Sequence, residues 1–250
     1  MPQIVKEFLD SNKQFTNTFF LQEDLYRVYA ADTSKYADGL DSSRISRVYL
    51  NMSSQLAKEN KKFQITKLGH GARFRDYAGC AERLNEAGAA LECFNLKTLE
   101  LPLSGNYDSS SFKLYFPDTS FLIASLEPGA KKDLRVSQNF GVYKGAIYEN
   151  MIAISLQKQG YPLYYYRNES KAYEIHFVIR NGDYVIPIEV KAKTNKFISL
   201  KAVVEKGIKN KTIKYGIKFG DTNIGFVNNI ISFPYFLSFL LTRFLDNYKN

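Results

Sequence analysis

Two carboxylates, an imidazole and an ammonium recur at even spacing in KAYEIHFVIRNGDYVIPIEVKAK, residues 171–193. Glu174 and His176 stand two apart on one apolar run, and Glu189 and Lys191 two apart on the next. Between the runs, Asn181-Gly182-Asp183 reads as a tight turn. Side chains two apart on a strand share a face, so a hairpin here predicts all four on one surface. Hydrolysis of a phosphodiester with Mg²⁺ needs hard oxygen ligands on rigid strands and a cation near the developing charge. Glu189-Val190-Lys191 supplies a ligand and a cation on one face, with Val190 turned inward. The same four residues also suit the relic of such a site, or the solvated face of a sheet.

FGVYKGAIYENMIAISLQKQGY predicts an amphipathic helix ending at Gly160. On it, Glu149 has Gly145, Ala146, Ile152 and Ala153 as neighbours one turn away, which faces the carboxylate toward a sheet. A buried carboxylate needs a cation, a metal or several hydrogen bonds, and Lys191 is one candidate cation. PLYYYR, YEIHFVIR and YVIPIEVKAK predict three strands, ISLKAVVEKGIKN a helix and KTIKYGIKFG another strand. FKLYF is a strand candidate, TSFLIASL a short helix and PGAKKDLRVSQN a loop.

Before these, residues 1–30 predict helix, and Ser42 or Ser43 is placed to cap RISRVYLNMSSQLAKEN, with Ile45, Val48, Tyr49, Met52 and Leu56 inward. FRDYAGCAERLNEAG predicts a helix with Tyr77, Cys80, Ala81 and Leu84 inward and Gly88 as its C-cap. ALECFNLKTLELPL alternates like paired strands. Short helices followed by a hairpin is the order of a winged helix, whose recognition helix would carry or follow Arg73, Arg75 and Arg83. The fold class expected is α+β, with a helical and winged-helix region at 1–105 and an α/β/α domain around a mixed sheet at 106–250.

The net charge is +9, and residues 190–218 hold nine lysines against one acid, Glu205. That field, including Lys193, Lys196 and Lys201, suits a polyanion such as nucleic acid, or else a solvated surface. Two cysteines and two histidines make no zinc-type cluster at ligand spacing, and Cys80 and Cys93 read as reduced core residues. No run reaches the length of an apolar membrane helix, since Asn228, Asn229 and Pro234 interrupt the C-terminal apolar stretch. Without a secretion signal, the expected location is cytoplasmic.

Residues 160–206, with QLAKENKKFQITKLGHGARFRDYAGCAERLNEAG, FKLYFPDTSFL and KGAIYEN upstream, resemble a family of prokaryotic AAA+ ATPase proteins. The resemblance is to their C-terminal domain of unknown function, a winged helix plus a PD-(D/E)XK restriction-endonuclease-like domain, and it spans nearly the whole chain. It implies that Glu149 is the helix carboxylate of the nuclease-like core, that Glu189 and Lys191 are its E-x-K, and that Glu174 matches the Glu of the family's E-V-D-F. His176 departs from the pattern by occupying the position of the Asp that bridges to Mg²⁺ in active nucleases. Imidazole is a softer ligand, better suited to Zn²⁺, Fe or Cu. The family begins with an ATPase module, whereas here MPQIV stands at residue 1 and no G-x-x-x-x-G-K-[ST] loop occurs. The resemblance is therefore to the C-terminal half, which implies an ATPase domain as partner, in cis or in trans, and no ATPase activity.

The function expected first is a nuclease-like module that binds nucleic acid through the lysine field and winged helix, with impaired or absent cleavage. The first alternative is a protein-interaction or oligomerisation module with a relic site. The second is an active Mg²⁺- or Mn²⁺-dependent nuclease in which Glu149, Glu174 and Glu189 act with Lys191, the ligand set being Glu174, His176 and Glu189.

Overall fold

The computed structural model describes residues 2–37, 39–58, 60–136, 141–168, 173–191 and 197–248. The chain divides into two compact units that exchange a segment. One comprises residues 1–92 with 114–143, the other 93–113 with 144–250. The single boundary expected near residue 105 falls inside the second unit.

In the first unit, helices α1 (Pro2–Asp10), α2 (Phe15–Asp32), α3 (Ser42–Leu56), α4 (Cys80–Glu86), α5 (Thr119–Ala124) and α6 (Pro128–Val136) surround an aromatic core. Tyr26 stacks on Tyr49 with ring centroids 5.6 Å apart, and Phe116 meets Tyr49 edge-on at 5.7 Å. The predicted stripe of α3 is fully buried. Its N-cap is Asp41 rather than either serine, the carboxylate accepting from the Ser43 N–H at 2.9 Å. The helix predicted over FRDYAGCAERLNEAG is broken in two. A 3-10 turn at Phe74–Tyr77 is followed by Gly79 at φ +78°, a left-handed conformation that only glycine adopts at little cost, and only then by α4. Of the loop predicted at 128–139, residues Pro128–Val136 are instead helix α6, with Pro128 in its first turn, where a missing N–H costs nothing, and 137–139 lie outside the described residues.

The second unit is built on an eight-stranded mixed sheet. Its strands are β1 (Leu91–Leu96), β2 (Tyr107–Tyr115), β3 (Tyr164–Asn168), β4 (Tyr173–Asn181), β5 (Tyr184–Val190), β6 (Gly216–Gly220), β7 (Gly225–Val227) and β8 (Ile230–Pro234). They run in the order β2-β1-β3-β4-β5-β6-β8-β7. β3, β4 and β5 form an antiparallel meander, and β6 lies parallel to β5. Among the described residues the unit also holds the helices α7 (Gly141–Lys158), the β5–β6 crossover α8 (Ile198–Lys209) and α9 (Leu241–Asn247). The predicted wing does not form as such. β1 neighbours β2 but also pairs in parallel with β3, so both strands belong to the large sheet. Residues 97–106 between them make a loop closed by the Lys97 N–H donating to the Asn106 carbonyl.

Glu92 gives one stability prediction. Burial, then the neighbouring Glu82 and Glu86 carboxylates, push its pKa up to about 7 from the ordinary glutamate value of 4.5. The unfolded chain therefore ionises before the folded one, and stability falls as pH rises across that window. Glu92→Gln removes the penalty. Urea unfolding should show a gain of about 1–2 kcal/mol near pH 8, discounted for partial exposure, and none near pH 4.

Candidate functional site: a lysine held between two carboxylates

Four elements of the second unit converge on one buried ammonium. Strand β2 carries Lys113 within a run of five buried residues, and its side chain is wholly inaccessible. Glu149 projects from α7, whose Ala146, Ile152, Ala153 and Leu156 are also buried, so the face predicted for this carboxylate is the inward one. The Lys113 Nζ lies 3.1 Å from the Glu149 Oε1 and 2.5 Å from the Glu174 Oε1 of β4. It also sits 4.7 Å from the centroid of the Tyr165 ring, whose hydroxyl lies 3.2 Å from the Ser111 hydroxyl. Arg167 of β3 donates to the other oxygen of Glu174 at 3.3 Å. Two carboxylates thus face two cations in a cluster almost closed to water.

The electrostatics are mutually reinforcing. Burial works against the charged form of Lys113, but the Glu149 and Glu174 carboxylates outweigh it and hold the ammonium's pKa above the ordinary lysine value. Burial likewise penalises ionised Glu174, and Lys113 overcomes it, leaving that carboxyl below its usual range. The thiol of Cys93, buried nearby, is pushed up by the same loss of water. Both cysteines are free and buried, as expected.

His176 joins this cluster at its edge. Its Nδ1 accepts the Val190 N–H at 3.1 Å, so the ring proton is on Nε2, which lies 3.8 Å from the Glu149 Oε2. The ring serves as the acceptor for a backbone donor beyond the end of the β4–β5 ladder, whose last pair is Phe177 with Ile188.

The predicted single polar surface is split between the two faces of the sheet. In the β3–β4 ladder Tyr166 pairs with Ile175 but Tyr164 pairs with Val178, so β4 holds one residue more than β3 over this span. Ile175 and Val178 consequently share the face that packs on Leu200, Val203 and Val204 of α8. Glu174 and His176, flanking Ile175, point to the other face, toward α7. Strand β5 is regular, and its Val185 packs with the α8 side, which places Pro187 and Glu189 there too. The register agrees. Glu189 pairs with Lys218, two residues from Gly216, whose missing Cβ would meet Val204 and Leu200 of α8. Glu189 is 2% exposed, and its Oε1 accepts from the Lys191 Nζ at 2.8 Å, while its Oε2 is buried with no hydrogen-bond partner among the described residues. Among the described residues no group of three or more His, Cys, Asp or Glu is arranged to hold a metal ion. The ligand set Glu174, His176 and Glu189 is not assembled, because the extra residue in β4 separates its first two members from the third.

The predicted nucleic-acid contacts are dispersed. Arg73 and Arg75 are exposed on the first unit, with Arg75 3.6 Å from Asp76. Lys201 is exposed on α8, 3.8 Å from Glu205. Lys193 and Lys196 lie outside the described residues. Lys113 was not anticipated. The signal available for it was a single cation inside FKLYF, an otherwise apolar strand, where a charge requires a partner.

Residues 1–132, more than half the chain, match the model of a domain of unknown function, DUF8612. The chain belongs to the DUF8612 family. Residues 144–236 of this DUF8612 protein match a second domain of unknown function, DUF4143, found in ATPase-associated proteins. Lys113 comes from the DUF8612 stretch, whereas Glu149, Glu174 and His176 come from the DUF4143 stretch. No curated protein and no solved structure matches the chain. No helix among the described residues is long and apolar enough to cross a membrane.

Proposed function

We propose that this chain is a nuclease-like module of an ATPase-type protein that holds nucleic acid without cutting it. The observation that carries the reading is the Lys113 ammonium, bonded to both Glu149 and Glu174, where two acidic side chains of a nuclease core would offer oxygens to a divalent ion. The donor set does not fit Mg²⁺ or Mn²⁺. A fixed cation occupies the two carboxylates, an imidazole stands where the resembling family has an Asp, and Glu189 lies across the sheet.

The order α7, antiparallel meander, α8, parallel β6 supports the nuclease-like part of the reading. Lys201, Lys206, Lys209, Lys211 and Lys214, all exposed on or just after α8, support a polyanionic ligand. The DUF4143 match supports an ATPase partner. The alternative of a protein-interaction module is favoured by Phe236 and Phe239, which are 75% and 65% exposed on one short turn.

The test is a supercoiled plasmid incubated with the protein and millimolar Mg²⁺ or Mn²⁺. The plasmid should be retarded in a gel, more weakly as salt rises, and remain uncut. Nicking that Lys191→Ala abolishes would overturn the non-cutting reading, and absence of retardation at low salt would overturn binding.

A further inference from the structure

We infer that a groove between the start of α8 and the β7–β8 hairpin binds single-stranded nucleic acid, in preference to duplex. This rests on the nucleic-acid reading above and specifies the form of the ligand. The groove encloses about 470 Å³ and is lined by Phe197, Ile198, Lys201, Lys218, Val227, Asn228, Ile230 and Ser232. Ile198 and Val227 are 69% and 68% exposed, two aliphatic side chains left open to water beside Lys201 and Lys218.

The lining selects the ligand. Lys201 and Lys218 supply two ammonium groups, the latter held 4.9 Å above the Phe197 ring. Duplex nucleic acid turns its phosphates outward and hides its base faces in the stack, so it would satisfy the lysines and leave the apolar floor wet. A single strand offers both, with phosphates for the lysines and unstacked base faces for Ile198, Val227 and Phe197. Asn228 and Ser232 can hydrogen-bond base edges. The rim is preset. Asn228 and Asn229 both adopt positive φ, 53° and 58°, in a two-residue turn that pairs Val227 with Ile230. Val227 is thereby fixed facing the groove.

The experiment uses fluorescence anisotropy of a labelled oligothymidylate and of a duplex of equal length, with the full chain and its surface variants. The oligothymidylate should bind more tightly than the duplex. Val227→Asp should weaken it about ten-fold while changing duplex affinity less than about two-fold, and Lys218→Ala should reduce its salt dependence. Circular dichroism checks that these variants stay folded, and Ile198→Ser, at an exposed helix terminus, gives an independent reading of the same floor. Equal or tighter duplex binding, insensitive to Val227→Asp and Ile198→Ser, overturns the groove and leaves the nucleic-acid reading standing. Binding of neither probe overturns both. Competition by an acidic, apolar peptide at lower concentration than the oligothymidylate also overturns the assignment.

Discussion

Lys113→Met will cost about 3–5 kcal/mol of folding stability at neutral pH, since it leaves the carboxylates of Glu149 and Glu174 short of a cation in a site closed to water. Glu174 keeps Arg167, and Glu149, which is 1% exposed, loses its bond to the ammonium. The penalty will be pH-dependent with a sign opposite to that of the native cluster. In the native chain the depressed Glu174 contributes stability above the unfolded carboxylate value of 4.5, lost as pH falls through the lower folded value. The raised Lys113 contributes stability below 10.5, lost as pH rises through the higher folded value. In the variant the carboxyl pKa values are raised instead, so stability recovers as pH falls from neutral toward 4.5. Urea unfolding at a series of pH values measures both slopes. Lys113→Met with Glu149→Gln should regain most of the loss, and failure to do so would assign the defect to packing rather than charge.

The second large effect follows from the same cluster. Lys113→Ala removes the ammonium and its stem, leaving Glu149 and Glu174 oxygens around a space that a divalent ion can enter. Mn²⁺, and less strongly Mg²⁺, should then stabilise the variant while leaving the native chain unchanged. The ranking follows from Mg²⁺, which demands near-ideal octahedral geometry and gives up its water reluctantly, in a site closed to water. At a hundred-fold excess over the dissociation constant the gain is about 2.7 kcal/mol, or some 5–10 °C in melting temperature for a chain of this size. Thermal melts against metal concentration measure it. Equal response of native and variant proteins would show that the metal binds elsewhere.

Much of the second unit was legible because its signals are local. The meander follows from alternation and from Gly182 at φ +58° in the turn, and the inward face of α7 from the small residues around Glu149. The stripe of α3 was legible for the same reason. The features that decide the chemistry depend on relations between segments. Nothing within YEIHFVIR marks the extra residue that sends Glu174 and His176 to the α7 face, because it is defined only against β3. Lys113 and its partners are 36 and 61 residues apart in sequence. The wing was misread because alternation announces a strand without naming its neighbour, and β1 pairs with β3, some seventy residues on. Loop-like polarity concealed α6, and Gly79 divided a helix that apolar spacing made look continuous.

The added residue in β4 makes the side of the sheet on which a carboxylate stands a question of parity. Adding one residue to β3 between Tyr164 and Tyr166 would pair off the extra residue of β4, restore strict alternation along it and carry Glu174 and His176 across to the face of Glu189, with no catalytic side chain replaced. A family sharing this sequence pattern can therefore differ in chemistry through a single-residue gap that residue-by-residue comparison scores as trivial.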